Sequence, residues 1–127
     1  MVVHEMTLAP IPFEKIRNRE KDIEMRLYDD KRQLIKVGDR IRFSNKVTDE
    51  RLLVEVLALH IFENFEELYA NFPKERLGYK SNEIANPDDM GQYYSFGLRS
   101  MYQVVGIEIR LVHAPKVNKK ATPTRVA

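Results

Sequence analysis

The segment KDIEMR at residues 21–26 carries three side chains whose types and spacing suit binding or catalytic chemistry. Lys21, Glu24 and Arg26 place an ammonium group, a carboxylate and a planar guanidinium within six positions. In a strand, Glu24 and Arg26 share one outward face, with about 7 Å between their Cα atoms. Glu24 would then pair with both cations while Arg26 presents a two-pronged donor to a phosphate or a base edge. Spacing alone favours a surface ion pair of little energetic consequence over this binding role.

Catalysis by the same residues is a further interpretation. A lysine acts as a base when burial or neighbouring cations depress its pKa, whereas an adjacent Glu24 favours the charged form. A carboxylate can instead act as a nucleophile or as a general base that activates water. We therefore assign catalytic roles to Lys21 and Glu24 only if the protein is an enzyme, a question that the sequence leaves open.

Further cations and a tyrosine are expected beside this segment. Basic side chains on the preceding helix and on a neighbouring strand would form the rim of a cleft that guides phosphates. Of the adjacent Tyr93 and Tyr94, one is expected to pack while the other lines a surface where it can stack on a base, and two partly buried core aromatics are the equal alternative. The residues expected to bind the ligand are Lys21, Glu24, Arg26, Lys15, Arg17, Arg42 and Tyr94.

The elements that must position these residues are mostly strands. Ile23, Met25 and Leu27 alternate with polar residues, which is typical of a half-buried strand. The run at 51–62 is apolar on both faces, which periodicity alone allows as a buried helix or as a long central strand covered on each side, and its β-branched residues favour the strand. The other predicted strands are 4–9, 40–43 and 102–114.

Short helices are expected between these strands. The predicted helices are 12–19, 64–72 with Asn64 as its N-cap, and a further one that begins at Pro87. The strands are not separated by regular crossover helices, and the two long strands are apolar enough to be enclosed. We therefore predict a mainly β fold, a small PUA-like β-barrel of about five to six strands and two to three short helices.

Composition and charge limit the domain organisation and the class of protein. The 127 residues are 43% hydrophobic and 31% charged, and without an apolar run of membrane-spanning length we expect one globular domain over residues 1–113 and no membrane partner. Four of the 21 Lys and Arg residues lie in 114–127, which holds no acid, so the body carries 17 bases against 19 acids. The net charge of +2 therefore reflects a basic tail, which we expect to be disordered.

The histidine and cysteine content indicates whether the protein binds a metal and in which cellular compartment it is expected. The chain has no cysteine, which excludes disulfides and thiolate sites and fits a cytoplasmic protein. Its three histidines are far apart, and His60 in an apolar strand is more often a hydrogen-bonded core residue than a ligand. We predict no metal, no cofactor and a monomer.

The order of these segments resembles the ASCH domain, a member of the PUA-like superfamily. The resemblance rests on PFEKIRNREKDIEMRLYDDKRQLIKVGDRIRF, then FENFEELYANF, QYYS and YQVVGIEIRL, and it covers roughly residues 5–112. It implies a curved barrel with a proposed RNA-binding cleft beside the first helix and the second strand. In one subfamily it implies an amidohydrolase that acts on N4-acetylcytidine.

The amidohydrolase subfamily has a Gly-x-Lys-Thr-x-Thr-x-Arg segment, which the chain matches only in part. Its lysine falls on Lys21 and its arginine on Arg26, but the nucleophilic threonine falls on Glu24. The glycine falls on Arg19, and the assisting glutamate has no fixed counterpart, with Glu83 in the corresponding region. The resemblance thus predicts an RNA- or nucleotide-binding domain. A small amidohydrolase of a modified nucleoside is the alternative, and a protein-interaction module is a third possibility.

Overall fold

A single curled sheet of half-barrel shape organises the protein in a computed structural model that describes residues 1–115. Within these residues it has five strands, with β1 parallel to β3 and all other neighbours antiparallel, in the order β1-β3-β4-β5-β2. The mainly β architecture predicted from the sequence is confirmed. The strands are β1 (Val3–Leu8), β2 (Ile23–Leu27), β3 (Arg40–Asn45), β4 (Arg51–Phe62) and β5 (Val104–His113).

Short helices connect the strands. The described residues include α1 (Pro10–Arg17), α2 (Phe65–Asn71) and α3 (Phe96–Met101), and short 3-10 turns at Arg32–Leu34, Lys74–Leu77 and Pro87–Gln92. The predicted cap is confirmed, because the Asn64 side chain accepts a hydrogen bond from the Glu67 backbone. The helix α1 begins two residues earlier than predicted, since Pro10 suits the first helical position.

One helix was not predicted. The helix α3 has no buried residue, so it lacks the apolar periodicity by which the others were recognised. Its start is nevertheless fixed by Ser95, whose hydroxyl accepts a hydrogen bond from the Leu98 backbone. The predicted helix at Pro87 is a 3-10 helix that ends at Gln92.

The sheet curls without joining its edges by strand pairing in the part that the structure describes. The strands β1 and β2 lie at its two ends, and each has one neighbour. A side chain spans the gap, because Arg26 Nη2 donates a hydrogen bond to the Thr7 carbonyl oxygen at 2.8 Å. The cleft around Arg26 therefore lies where the curled sheet comes closest to closing.

The core consists of two clusters of buried apolar residues. One packs α1 against β1, β3 and β4, with Phe13 and Phe43 fully buried. The other packs α2 against β2 around Ile23 and Leu68. Gly106 on β5 allows this second contact, since a Cβ there would lie 3.2 Å from Ile23 Cγ2.

The prediction that β4 is covered on both faces was wrong. Leu52, Val54 and Val56 are buried on one face, but Leu57 and Ile61 are exposed. The register of β4 and β5 shifts between Val56 and Ala58, and beyond this point no residue of β4 is fully buried. Of the predicted tail 114–127, residues 116–127 lie outside the described residues.

Candidate functional site

Lys21, Glu24 and Arg26 form one charged network at the beginning of β2. Glu24 Oε2 accepts a hydrogen bond from Arg26 Nε at 2.6 Å, and Glu24 Oε1 lies 3.5 Å from Lys21 Nζ. The alternation predicted for β2 is confirmed, with Ile23 and Leu27 in the core. The charged face, however, is not a solvent-exposed strand face, since Lys21 is 6% and Glu24 5% exposed. The interpretation as a surface ion pair is therefore wrong.

Lys21 is held by the turn that follows the Lys74–Leu77 helix. Its Nζ donates to the carbonyl oxygens of Ile23 at 2.8 Å and Leu77 at 3.1 Å. Burial lowers the pKa of Lys21 from its ordinary value, and the charge of Glu24 offsets only part of that effect. With Glu24 as the third neighbour, each of the three ammonium protons has an acceptor nearby, which is an arrangement suited to the charged form.

Glu24 and Arg26 stabilise each other's charge. Burial by itself would raise the pKa of Glu24, but the charges of Arg26 and Lys21 and their hydrogen bonds outweigh it, so the pKa lies below its ordinary value. Burial would likewise lower the pKa of Arg26, yet Glu24 outweighs it and the pKa is raised. The carboxylate is thus ionised at neutral pH, with each oxygen facing a cation.

The network opens onto a cavity of about 470 Å³, a volume typical of small-molecule sites. Arg26 uses one N–H on Glu24 and one on Thr7, which leaves three guanidinium donors at the cavity wall. The structure also brings Lys15 and Tyr94, both predicted from the sequence, to this cavity. Together with Arg32 and Lys46, five cationic side chains line the cavity, against three carboxylates, Glu24, Glu83 and Asp89.

Arg17 and Arg42, which were predicted to join the same cleft, lie elsewhere. Arg17 pairs with Glu50 at 2.9 Å and with Glu14 at 2.7 Å, on the side of α1 away from the cavity. Arg42 pairs with Glu5 across the β1–β3 ladder. Both guanidinium groups are engaged by carboxylates that sequence reasoning could not place beside them.

The two adjacent tyrosines divide their roles as the sequence suggested. The Tyr94 ring stacks on Phe65, with ring centroids 6.1 Å apart and planes 13° apart. Tyr93 is 48% exposed and lies at the same cavity. Tyr93 is therefore the more accessible of the two rings, although Tyr94 was the one selected from the sequence.

Sequence reasoning missed a second group in the cavity wall, formed by Tyr69, Tyr79 and Asp89. The Tyr69 and Tyr79 hydroxyl oxygens lie 2.9 Å apart, and Tyr79 donates to Asp89 Oδ2 at 2.7 Å. Tyr69 lies on α2 and the other two lie in the segment between α2 and α3. No sequence spacing signals this group, because the chain between them is irregular.

The position that carries glycine in the amidohydrolase segment keeps a left-handed backbone. Arg19 has φ of +61°, the conformation that glycine adopts most readily. Backbone hydrogen bonds from Arg19 to Ile16 and from Glu20 to Lys15 end α1 there. The turn that leads into β2 therefore has a left-handed conformation that suits glycine, with Arg19 in that position.

Within residues 1–115, no group of three or more His, Cys, Asp or Glu side chains is placed to hold a metal ion. His60 is half-buried rather than a core residue, and it pairs with Glu108 at 3.0 Å. In the same part of the chain, none of the helices has the length and hydropathy to span a membrane.

The curled five-stranded sheet and its short helices have the PUA-like fold. The sequence model of the ASCH domain matches residues 6–113, and the chain belongs to the ASCH domain family. This family is PUA-like and associated with RNA binding. No curated protein matches the sequence significantly.

Several solved structures are similar to this chain. Hypothetical protein PH0355 is 30% identical, with 87% of this chain and all of that chain covered, at a TM-score of 0.73. Protein PF0455 from Pyrococcus furiosus is 32% identical, with 87% of this chain and 98% of that chain covered, at a TM-score of 0.68. ASCH from Zymomonas mobilis is 12% identical at a TM-score of 0.62, covering 85% of this chain and 66% of that one, which shows the fold alone.

Proposed function

We propose that this ASCH domain binds RNA, or a nucleotide-like ligand, in the cavity beside α1 and β2. The observation that supports the proposal most is the Arg26 guanidinium, which is fixed by Glu24 and Thr7 and retains donors at the cavity wall. A guanidinium held in one orientation suits two-pronged recognition of phosphate or of a base edge.

Phosphate recognition rests on the excess of cations in the cavity. Lys21 is committed to backbone carbonyl groups, so it contributes charge rather than a free donor. Lys46 and Lys15 lie nearer to solvent, where side chains can follow a phosphate backbone. Tyr93 offers an accessible ring for stacking on a base.

The experiment is an amide NMR titration with a short single-stranded RNA and with CMP, repeated at increasing salt concentration. We expect shifts at the cavity residues and an affinity that falls as salt increases. Arg26→Met should weaken binding at least about tenfold, as expected for a hydrogen bond to a charged group. Arg42→Met is the matched control, because Arg42 lies outside the cavity. The affinity of this variant for RNA and CMP should equal that of the wild type.

Arg26→Met also removes two contacts of the fold, so a second variant keeps the test clear. Lys15→Met removes a half-buried cavity cation whose amine bonds only to the Gly78 carbonyl oxygen within the described residues. It should lower affinity while the far-ultraviolet circular dichroism stays that of the wild type. Unchanged affinities in both variants, or no shifts at the cavity, would refute the proposal.

An amidohydrolase acting on N4-acetylcytidine or a related amide is the second candidate. It is supported by a lysine of lowered pKa beside a carboxylate in the cavity, where Glu83 also lies. Against it, both Glu24 oxygens face cations and the Lys21 ammonium is surrounded by acceptors. Conversion of N4-acetylcytidine to cytidine by the wild type, lost in Lys21→Ala and in Glu24→Ala, would establish the amidohydrolase activity. No conversion over hours would rule out this activity on N4-acetylcytidine and favour the binding function.

A further inference from the structure

The chain of hydrogen bonds through Tyr69, Tyr79 and Asp89 has a fixed direction. A phenol has one proton, and Tyr79 donates its proton to Asp89 Oδ2 at 2.7 Å. The 2.9 Å contact between the two hydroxyl groups is therefore a donation from Tyr69 to Tyr79. Burial raises the pKa of both phenols from its ordinary value, so both remain protonated at neutral pH.

This direction leaves only acceptors on that part of the cavity wall. Both phenol protons are used within this series of hydrogen bonds, and the series ends on the Asp89 carboxylate. Asp89 Oδ2 receives the bond from Tyr79, whereas Oδ1 accepts no hydrogen bond from any residue in 1–115. Since Asp89 is exposed and lines the cavity, a ligand there can reach Oδ1.

The other two carboxylates of the cavity have different partners. Glu24 faces Lys21 with one oxygen and Arg26 with the other. Glu83 accepts a hydrogen bond from the Lys80 backbone at 2.6 Å, and nearby lysines add to the lowering of its pKa that this bond begins. Asp89 is thus the carboxylate of the cavity that a tyrosine hydroxyl orients, with Oδ1 left to accept a hydrogen bond from a ligand.

We propose that Asp89, oriented by Tyr79 and Tyr69, selects a nucleobase that carries an exocyclic amino group over its keto counterpart. This inference rests on the nucleotide-binding function proposed above. An amino N–H would donate to Asp89 Oδ1, whereas a keto oxygen would set its lone pairs against the carboxylate and leave both groups unpaired. Lys15 on α1 and Arg26 on β2 line the same cavity and have donors left for the phosphate, so the phosphate requires no contact with Asp89.

The test compares two pairs of mononucleotides that differ at one position, CMP with UMP and AMP with IMP. Isothermal titration calorimetry on the full chain should show each amino nucleotide binding at least about tenfold more tightly than its keto partner. In Asp89→Asn the ratio should fall to about one, since the amide can donate to a keto oxygen. Tyr79→Phe should reduce the ratio partly, because Asp89 loses its orienting donor.

Glu5→Gln is the matched control, because it neutralises a carboxylate that lies outside the cavity. Its ratio of amino to keto affinities should equal that of the wild type. Equal binding of all four nucleotides, or a ratio unchanged in Asp89→Asn, would overturn the inference while leaving the binding function intact. Failure of all four nucleotides and of RNA to bind would overturn both.

Discussion

Arg26 donates a hydrogen bond to the Thr7 carbonyl oxygen, and this bond joins the two strands that lie at opposite ends of the sheet. The same guanidinium holds Glu24 and faces the cavity. Edge strands leave backbone groups without strand partners, and here a side chain of one edge satisfies a carbonyl group of the other. The charge available for a ligand is therefore also part of what holds the curled sheet together.

The first prediction concerns Glu24, which lies between two buried cations. Glu24→Gln removes the negative charge and leaves Lys21 and Arg26 buried near each other. Removing one partner of a buried ion pair leaves uncompensated charge, and we expect the free energy of unfolding to fall by about 3 kcal/mol. Urea denaturation followed by circular dichroism measures this loss.

Glu5→Gln is the control for that variant. Glu5 pairs with Arg42 on the exposed side of the sheet, where 61% of its side chain is accessible. An exposed pair contributes at most about 1 kcal/mol, so this substitution should change the urea midpoint little. Equal losses of unfolding free energy in the two variants would show that burial does not make the Lys21, Glu24 and Arg26 network more stabilising than an exposed ion pair.

The second prediction concerns acid stability and the anchoring of β1. Asp39 accepts hydrogen bonds from His4 Nε2 and from the Lys36 and Val2 backbones, which lower its pKa from 3.8 to about 2. A carboxyl group whose pKa is lower in the folded state contributes stability that is present above its unfolded pKa and lost as the pH falls through its folded value. The free energy of unfolding should therefore fall between about pH 4 and pH 2.

Asp39→Asn isolates this contribution. The amide does not titrate, so the variant should be less stable than the wild type at pH 6 and should lose less stability between pH 4 and pH 2. Urea denaturation at several pH values gives both curves. If the unfolding free energies of wild type and variant fall in parallel between about pH 4 and pH 2, Asp39 is not the cause of the pH dependence.

Much of the fold was predictable because strand periodicity is a local property of the sequence. The alternation of Ile23, Met25 and Leu27 identifies β2, and the apolar run of β4 matches its observed limits. Asn64 marks the start of α2 through capping chemistry that acts over a few residues, whereas α1 begins at Pro10, two residues before its predicted start. The helix α3 escaped prediction because it buries no side chain.

The candidate site was predictable only where its residues are neighbours in sequence. Lys21, Glu24 and Arg26 lie within one segment, so their proximity follows from strand geometry. Their burial does not, because it depends on how the later turn at Gly78 packs against Lys21. Likewise, Arg17 could not be assigned to Glu50 rather than to the cleft, since that contact spans two elements distant in sequence.

The third prediction concerns the turn between α1 and β2. Arg19 is exposed and has φ of +61°, where a side chain costs about 1 kcal/mol and glycine does not. Arg19→Gly should raise the free energy of unfolding by up to about 1 kcal/mol, reduced by the greater entropy of glycine in the unfolded chain. Arg19→Ala keeps the strain and should bring no such gain; a larger gain for alanine than for glycine in urea denaturation would contradict this account.

The fourth prediction separates the steric role of Gly78 from its backbone strain. Gly78 has φ of +104°, and a Cβ there would lie 3.3 Å from Lys21 Cδ and 3.4 Å from Lys15 Cδ. Gly38 has a similar φ of +93°, but its Cβ would meet nothing within 4 Å. Both alanine variants should lose about 1 kcal/mol to backbone strain, but Gly78→Ala should lose more and should also weaken CMP binding, because the two lysines must shift. The difference between the two urea midpoints measures the packing at the lysines, and equal midpoints with unchanged CMP affinity would show that the turn does not position them.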